Sequence, residues 1–351
     1  MAEGDVSVKT EDIDLHVQTP LIYSAPLSKV AGRPVFLKLE NTQPSGSFKL
    51  RGIGHSCKIA VRNGATHLVC SSGGNAGMAT AYAANRLGVK ATVFTMDGLP
   101  QPVLKKFSDL GSEIYIGGPI WDICDATAKK YIQKMKGEGK TCHYIHPFDS
   151  PAVWDGHSTL IHEVVEQLAR SGHCQPGAVV TCVGGGGLLA GIAHGMEKVG
   201  WNHVPIVAME TYGADSFNKA VKAGKAVKLE KITSCAKTLG ALQVCDEVVS
   251  LAQKRTILSQ LVEDKVAVEC CKLFLRDHQL LVEPACGATL SAVYSGKIGE
   301  YLKEEAPVTS PIVVVICGGA TVDIDTLNDI ADKLGVETKL EKYFPLEEMR
   351  L

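Results

Sequence analysis

Short apolar runs alternate with helical patterns along this chain, and this alternation restricts the possible folds more than any other feature. The apolar runs lie at 66–72, 90–95, 178–183, 204–210 and 311–317. Helical patterns at 76–88 and 188–200 each end at a glycine, which is typical of a helix C-terminus. Because the runs are apolar throughout, they predict strands buried on both faces, as in parallel sheets covered by helices. The sequence therefore predicts an α/β fold.

Length and charge restrict the classes of protein to which this chain can belong. The chain has 351 residues, a length typical of two domains. Lys+Arg 36 against Asp+Glu 38 gives a net charge of -2, which argues against a broad nucleic-acid surface. The apolar run at 311–317 is far shorter than the about 20 residues that cross a bilayer. Residues 1–15 mix charges and lack an apolar segment, so no secretory signal is expected and the protein is predicted to be cytoplasmic.

Cysteines are numerous but not arranged for metal binding or disulfide formation. The chain has 12, with no CxxC pair and no Cys/His ligand spacing. We expect reduced thiols that pack as small hydrophobic side chains.

Four consecutive glycines, Gly184, Gly185, Gly186 and Gly187, connect a predicted strand to a predicted helix. Without Cβ atoms their N–H groups are open to an anion, and the helix N-terminus attracts negative charge. We interpret the segment as a phosphate-binding loop. Gly185, Gly187 and Ala190 also fit the pattern G-x-G-x-x-A, with Glu210 ending the next strand, so a nicotinamide-dependent dehydrogenase is an alternative at this point.

Three further segments carry reactive or anion-binding groups. Lys49 lies in QPSGSFKLRG at 43–52, and CSSGGNAGMATAYAA at 70–84 places a Ser/Gly/Asn loop before a helix. Cys317 ends the strand at 311–317, and ligands of open α/β sheets bind at this end of the strands. The two loops together predict a ligand set with two anionic ends.

Taken together, SGSFKLRG, SSGGNAG, GGGGLLAG, METYGADSF, VEPACGA and CGG resemble the L-serine dehydratase/L-threonine deaminase family of fold-type II pyridoxal-phosphate enzymes. The resemblance runs from about residue 15 to about residue 336, in the family's order and spacing. It implies two domains, each with a mostly parallel twisted sheet flanked by helices. Residues 1–41 and 151–336 would form the larger, cofactor-binding domain and 42–150 the smaller one, with a charged C-terminal tail at 337–351.

The resemblance also implies roles for individual residues toward pyridoxal 5'-phosphate. Lys49 would form the covalent link to the cofactor and then act as the base that removes the Cα proton. The other cofactor-binding residues would be Phe48 and Thr238 at the ring, Asn75 at its phenolic oxygen, Cys317 at its pyridine nitrogen, and Gly184, Gly185, Gly186, Gly187 and Leu188 at its phosphate. The substrate carboxylate would be bound by Ser72, Gly73, Gly74 and Asn75.

A monovalent cation, expected to be K+, is the second ligand that the resemblance implies. Its ligands would be the carbonyl oxygens of Gly184, Ala214, Leu239 and Ala241 with the side chains of Glu210 and Ser216. Oxygen ligands suit a hard cation.

The implied activity is conversion of L-serine to pyruvate and of L-threonine to 2-oxobutanoate, with release of ammonia. The partners would be the small amino-acid substrate and a second copy in a homodimer, with no nucleic acid and no membrane. A serine racemase of the same fold is the main alternative, and an amino-acid sensor without turnover is another. In the racemases a serine stands where this chain has Gly73, so Gly73→Ser is expected to introduce D-serine formation.

Overall fold

A computed structural model describes residues 13–118, 121–303 and 309–336. All five apolar runs form strands, as predicted from the sequence. The strands are β1 (Leu21–Tyr23), β2 (Val35–Lys38), β3 (His67–Cys70), β4 (Lys90–Met96), β5 (Glu113–Gly118), β6 (Cys142–Ile145), β7 (Ala178–Cys182), β8 (Ile206–Thr211), β9 (Ile257–Val262) and β10 (Ile312–Val315).

Helices occupy most of the segments that connect these strands. They are α1 (Ala25–Ala31), α2 (Lys49–Arg62), α3 (Asn75–Leu87), α4 (Gln101–Asp109), α5 (Trp121–Gly137), α6 (Pro151–Arg170), α7 (Gly187–Lys198), α8 (Ser216–Ala223), α9 (Asp246–Lys254), α10 (Asp264–His278), α11 (Pro284–Tyr294), α12 (Ile298–Leu302) and α13 (Ile324–Lys333). Short 3-10 turns lie at Glu40–Thr42 and Lys237–Leu239. No helix in the described part of the chain is long and apolar enough to cross a membrane.

Two sheets are present in the described residues, and parallel pairing dominates both. One has six strands in the order β1-β2-β10-β7-β8-β9, and the other has four in the order β5-β4-β3-β6. The pairs of β10 with β2 and β7, and of β8 with β7 and β9, are parallel, as are the three pairs of the four-stranded sheet. This topology confirms the predicted α/β class.

The chain divides into two compact units. The first takes its described residues from Met1–Leu21, Leu39–Cys174 and Gly186–Asn202, and the second from Ile22–Lys38, Gln175–Gly185 and His203–Leu351. The boundaries predicted from the sequence differ, because they assign residues up to 21, 39–41, 151–174 and 186–202 to the larger domain. Those boundaries stay a prediction about domains, and the predicted tail at 337–351 lies outside the described residues.

Within the first unit, α3 shows how local sequence sets an element's limits. Its alanine-rich segment favours a helix, and its buried residues Ala76, Ala79 and Ala83 pack in the core with β3. Gly88 ends it with φ 68° and donates its N–H to the Ala84 and Asn85 carbonyls, a conformation that glycine adopts without strain. Helix and loop together fix the position of residues 71–75.

Within the second unit, the central strands are buried along their whole length. Every residue of β7, β8 and β10 is buried, and α11 is buried at all its positions. Strands without an exposed face need apolar sequences, which explains the continuous runs that predicted them. Gly184 follows β7 and Cys317 follows β10, so both lie beyond the carboxyl ends of neighbouring strands.

Candidate active site

Lys49 is the first residue of α2, and its amine is held by a backbone oxygen. The Nζ atom donates a hydrogen bond of 2.5 Å to the carbonyl of Pro147, in the loop after β6. It also lies 5.3 Å from the centroid of the Phe48 ring. Gly46, three residues earlier, has φ 79° and makes the turn that leads into the helix. The local fold thus holds the amine of Lys49 against a carbonyl and an aromatic ring.

A buried ion network lies two residues after Lys49. The guanidinium of Arg51 is fully buried and donates to Glu40 Oε2 at 2.7 Å and to Glu163 Oε1 at 2.6 Å. Burial alone would lower the pKa of Arg51, but Glu40 and Glu163 raise it above its ordinary value. Since charges in such a site are stable only when paired, the network ties α2 firmly to Glu163 on α6.

The predicted substrate loop lies between β3 and α3, and Gly73, but not Gly74, is tightly packed. A Cβ atom at Gly73 would lie 2.0 Å from Thr95 Oγ1 and 2.9 Å from Leu99 Cδ1. At Gly74 the nearest atom would be Ser72 Oγ, at 3.8 Å. Asn75 is buried as the first residue of α3. The loop therefore leads directly into a helix N-terminus, whose N–H groups suit a carboxylate.

A polar cluster beside this loop was not predicted from the sequence. Ser71 donates to Asp125 Oδ1 at 3.2 Å and lies 2.7 Å from the Tyr144 hydroxyl, and Tyr144 also donates to Asp125. Lys129 Nζ lies 2.6 Å from Asp125. Burial opposes ionisation of Asp125, but Lys129 and Tyr144 lower its pKa. These side-chain contacts hold Ser71, the residue directly after β3, in place.

The four glycines lie where the sequence placed them, from the end of β7 to the start of α7. A Cβ atom at Gly187 would lie 2.7 Å from the Phe148 carbonyl oxygen. Gly186 has φ 97°, which disfavours other residues. In the second unit, a Cβ at Gly184 would lie 3.2 Å from the Thr238 carbonyl oxygen. Leu188 is buried on α7. Bare backbone at a helix start is the arrangement that binds phosphate.

Unpaired polar atoms support a fit to a polar ligand. The hydroxyls of Ser45 and Ser47 are buried and have no hydrogen-bond partner within the described residues. Both lie in the turn that precedes Lys49. Buried polar groups are normally paired, so this turn, like the glycine loop, is suited to a phosphate-bearing cofactor.

Cys317 belongs to a group of buried thiols in the second unit. Its hydrogen bonds with Cys182 and Cys286, together with burial, raise the pKa of the Cys317 thiol well above its ordinary value. The residue is therefore a neutral thiol. Thr238, on the short 3-10 turn, donates to Glu283 Oε1 at 2.9 Å. All 12 cysteines are free and ten of them are buried, as predicted.

Glu210 is completely buried in β8 and accepts two backbone hydrogen bonds from the start of α8. The donors are the N–H groups of Phe217, at 2.8 Å, and Asn218, at 2.7 Å. Burial raises the pKa of Glu210 to about 8, although these hydrogen bonds act in the opposite direction. Both carboxylate oxygens of Glu210 are thus used within the fold and the residue is not exposed, which argues against a ribose-binding role and the nicotinamide alternative.

The structure brings some of the predicted cation ligands close to one another. Ser216 Oγ is buried and has no partner within the described residues, and a Cβ atom at Gly184 would lie 3.4 Å from the Leu239 Cα. Ala214 is buried, and Ala241 donates its N–H to the Leu239 carbonyl at 2.8 Å. Among the described residues no group of three or more His, Cys, Asp or Glu side chains could hold a metal ion. The full ligand set stays a prediction.

Comparison with known proteins identifies the family to which the chain belongs. Residues 13–318 match the family described as "Pyridoxal-phosphate dependent enzyme", and the chain belongs to this family. A fungal L-serine ammonia-lyase from Rhizomucor miehei superposes with a TM-score of 0.83 at 33% identity, over 91% of this chain and 99% of that one. The predicted fold-type II architecture is confirmed. Maize serine racemase, at 23% identity and a TM-score of 0.77 over 91% and 93%, shares the fold.

Among individual proteins, the chain is similar to animal enzymes over nearly its whole length. It is 45% identical to "Serine dehydratase-like" of Mus musculus over 336 residues, which are 95% of this chain and 99% of that protein. It is 44% identical to "L-serine dehydratase/L-threonine deaminase" of Homo sapiens over 331 residues, or 93% and 98%. These relatives agree with the resemblance found in the motifs.

Proposed function

We propose that this enzyme is an L-serine/L-threonine ammonia-lyase. It would convert L-serine to pyruvate and ammonia, and L-threonine to 2-oxobutanoate and ammonia, by elimination of the β-hydroxyl followed by hydrolysis. The observation that carries the proposal is Lys49, held by Pro147 and Phe48 in a turn with unpaired buried hydroxyls. The names of the two animal relatives and of the fungal structure support the same reaction.

Residues of the candidate site are suited to cofactor binding, substrate binding and removal of the Cα proton. When bound, pyridoxal phosphate supplies an electron-withdrawing ring that stabilises negative charge at Cα. Lys49 would bind the cofactor and, once released, take the Cα proton at its Nζ atom. The loop of Ser72, Gly73, Gly74 and Asn75 would orient the substrate carboxylate, and the glycine loop 184–187 would hold the phosphate. Cys317, as a neutral thiol, would leave the pyridine nitrogen less protonated than a carboxylate would.

A monovalent cation, a homodimeric state and a cytoplasmic location are further parts of the proposal. They rest on the resemblance of the motifs, with Glu210 and Ser216 as the side-chain ligands of the cation. Light scattering of the purified protein tests the homodimer, which requires twice the mass of the chain.

Product analysis tests the proposed reaction. Incubation with L-serine should give pyruvate and ammonia in equal amounts, and L-threonine should give 2-oxobutanoate. Lys49→Ala should lose activity by several orders of magnitude, because the covalent link and the base are removed together. Lys58→Ala is the matched control, since Lys58 lies on the same helix and donates to the Ile13 carbonyl. Unchanged turnover in Lys49→Ala, or D-serine as the main product of the unmodified protein, would contradict the proposal.

A further inference from the structure

The first turn of α2 contains a backbone donor that the helix itself does not pair. Arg51 N–H donates to the Phe48 carbonyl at 3.0 Å, and Leu50 N–H to the Ser47 carbonyl at 3.3 Å. The Gly52 N–H instead donates to Nδ1 of His157, at 3.1 Å. This histidine lies on α6, 105 residues away in sequence. The helix that begins at Lys49 is thus completed by a side chain from another helix.

The hydrogen bond from Gly52 fixes the tautomer of His157. Because Nδ1 accepts, the ring proton resides on Nε2 and the imidazole is neutral. A proton on Nδ1 would place two donors against each other. The side chain is completely buried, and burial, with the positive charges of Lys49 and Arg51, lowers the pKa of His157 well below its ordinary value.

Packing leaves His157 no freedom to turn away. A Cβ atom at Gly52 would lie 2.7 Å from its Nε2, and one at Gly191 on α7 would lie 2.3 Å from its Cβ. Its other face meets the Phe48 ring, with centroids 5.0 Å apart and planes inclined by 55°. Nε2 has no hydrogen-bond partner within the described residues. His157 therefore fixes both the residue before Lys49 and the amide three residues after it.

We propose that His157 is a positioning residue for Lys49: it holds the Phe48 ring and the Gly52 amide, and so sets the direction in which the lysine side chain leaves α2. The inference rests on the proposed role of Lys49. It assigns a function to a histidine that contacts Phe48 and the Gly52 amide.

Two substitutions test the two contacts of His157 one at a time, because each removes one contact and keeps the other. His157→Phe keeps a ring against Phe48 but leaves the Gly52 N–H unpaired. His157→Asn keeps an acceptor at the position of Nδ1 but removes the ring. His162→Phe is the control, because His162 is an exposed histidine on the same helix.

For His157→Phe we expect kcat to fall on the order of 10- to 100-fold, while KM for L-serine changes little. A displaced lysine impairs proton removal from the bound substrate, but it does not impair substrate binding. The pH midpoint of the visible cofactor band should also shift, and hydrogen exchange of the Gly52 amide should become faster. His157→Asn should restore slow exchange and part of kcat, and His162→Phe should behave as the unmodified protein.

A structural role alone would lower the unfolding midpoint of His157→Phe but leave kcat and the pH midpoint of the band unchanged, and this result would overturn the proposal. If His157→Phe does not fold, ¹⁵N spectra of histidine-labelled unmodified holoenzyme decide instead. A proton on Nδ1 of His157 would then overturn the proposal, whereas the Nε2-protonated neutral form and a lowered kcat in His157→Asn would support it. Failure of the proposed function is separate, because it would appear as a cofactor not attached to Lys49 in the unmodified protein.

Discussion

Gly73 is packed so closely that a side chain at this position must displace its neighbours. The nearest atoms to a Cβ atom there belong to Thr95, at 2.0 and 2.8 Å, and to Leu99 at 2.9 Å. Thr95 is itself buried, and its hydroxyl donates to the Met96 carbonyl. The racemase-like substitution considered from the sequence therefore meets a steric barrier that the motif does not reveal.

Gly73→Ser is accordingly expected to destabilise the fold by about 1–3 kcal/mol and to lower ammonia-lyase activity. Gly74→Ser is the matched control for stability, since only Ser72 Oγ, at 3.8 Å, lies near a Cβ atom there. Urea unfolding of both variants measures the difference. Chiral chromatography should show D-serine from Gly73→Ser only after Thr95→Gly provides space. Equal stability of the two serine variants would show that the loop adapts without cost.

At the scale of elements, glycines on α7 allow close approach to α6. A Cβ atom at Gly195 would lie 2.8 Å from both Ile161 Cβ and the Ser158 carbonyl oxygen. Helix α6 carries His157 and Glu163, which hold the first turn of α2. The position of Lys49 thus depends on a helix packing that small residues permit.

Gly195→Ala is expected to lower the free energy of unfolding by about 1–3 kcal/mol, because the added methyl group forces α7 away from α6. Gly137→Ala in α5 is the control, because no atom beyond its chain neighbours and its own helix backbone lies within 4 Å of a Cβ atom there. This second change should be close to neutral, since the advantage of alanine over glycine, about 1 kcal/mol in a helix interior, is smaller at the last residue of a helix. Thermal unfolding of Gly195→Ala and Gly137→Ala measures the difference between the two variants. Equal unfolding midpoints would contradict the close packing of α7 against α6.

Elements and their limits could be predicted because their signals are local. The helix expected at 76–88 is Asn75–Leu87, since the alanine content and the glycine at position 88 are both visible in the sequence. The contact of His157 with Gly52 could not be predicted, because nothing in the neighbouring sequence distinguishes this histidine from a core residue. The same holds for Asp125 and Tyr144. Arg51 lies inside the motif SGSFKLRG, two residues after Lys49, and this position is a signal that the sequence does contain.

For the whole molecule, the proposed cation should stabilise the folded enzyme. Ser216 Oγ is buried and has no partner among the residues that the structure describes, so coordination of a cation would satisfy it. Potassium should raise the unfolding temperature progressively as its concentration increases, and activity should fall when a bulky organic cation replaces it.

Ser216→Ala should reduce this potassium-dependent rise while leaving stability without potassium equal or about 1 kcal/mol higher, because an unpaired buried hydroxyl is removed. Ser250→Ala, on α9, serves as the control. Thermal unfolding in potassium chloride and in tetramethylammonium chloride measures the response. An identical response in the unmodified protein and in Ser216→Ala would remove Ser216 from the proposed ligands.

The measurement that tests the central claim most directly is the site of cofactor attachment in the purified protein. The account predicts a yellow protein whose visible band changes on addition of L-serine, and borohydride reduction followed by peptide mapping should place the cofactor on Lys49. A colourless protein that binds no pyridoxal phosphate, or a reduced cofactor on a different lysine, would contradict it.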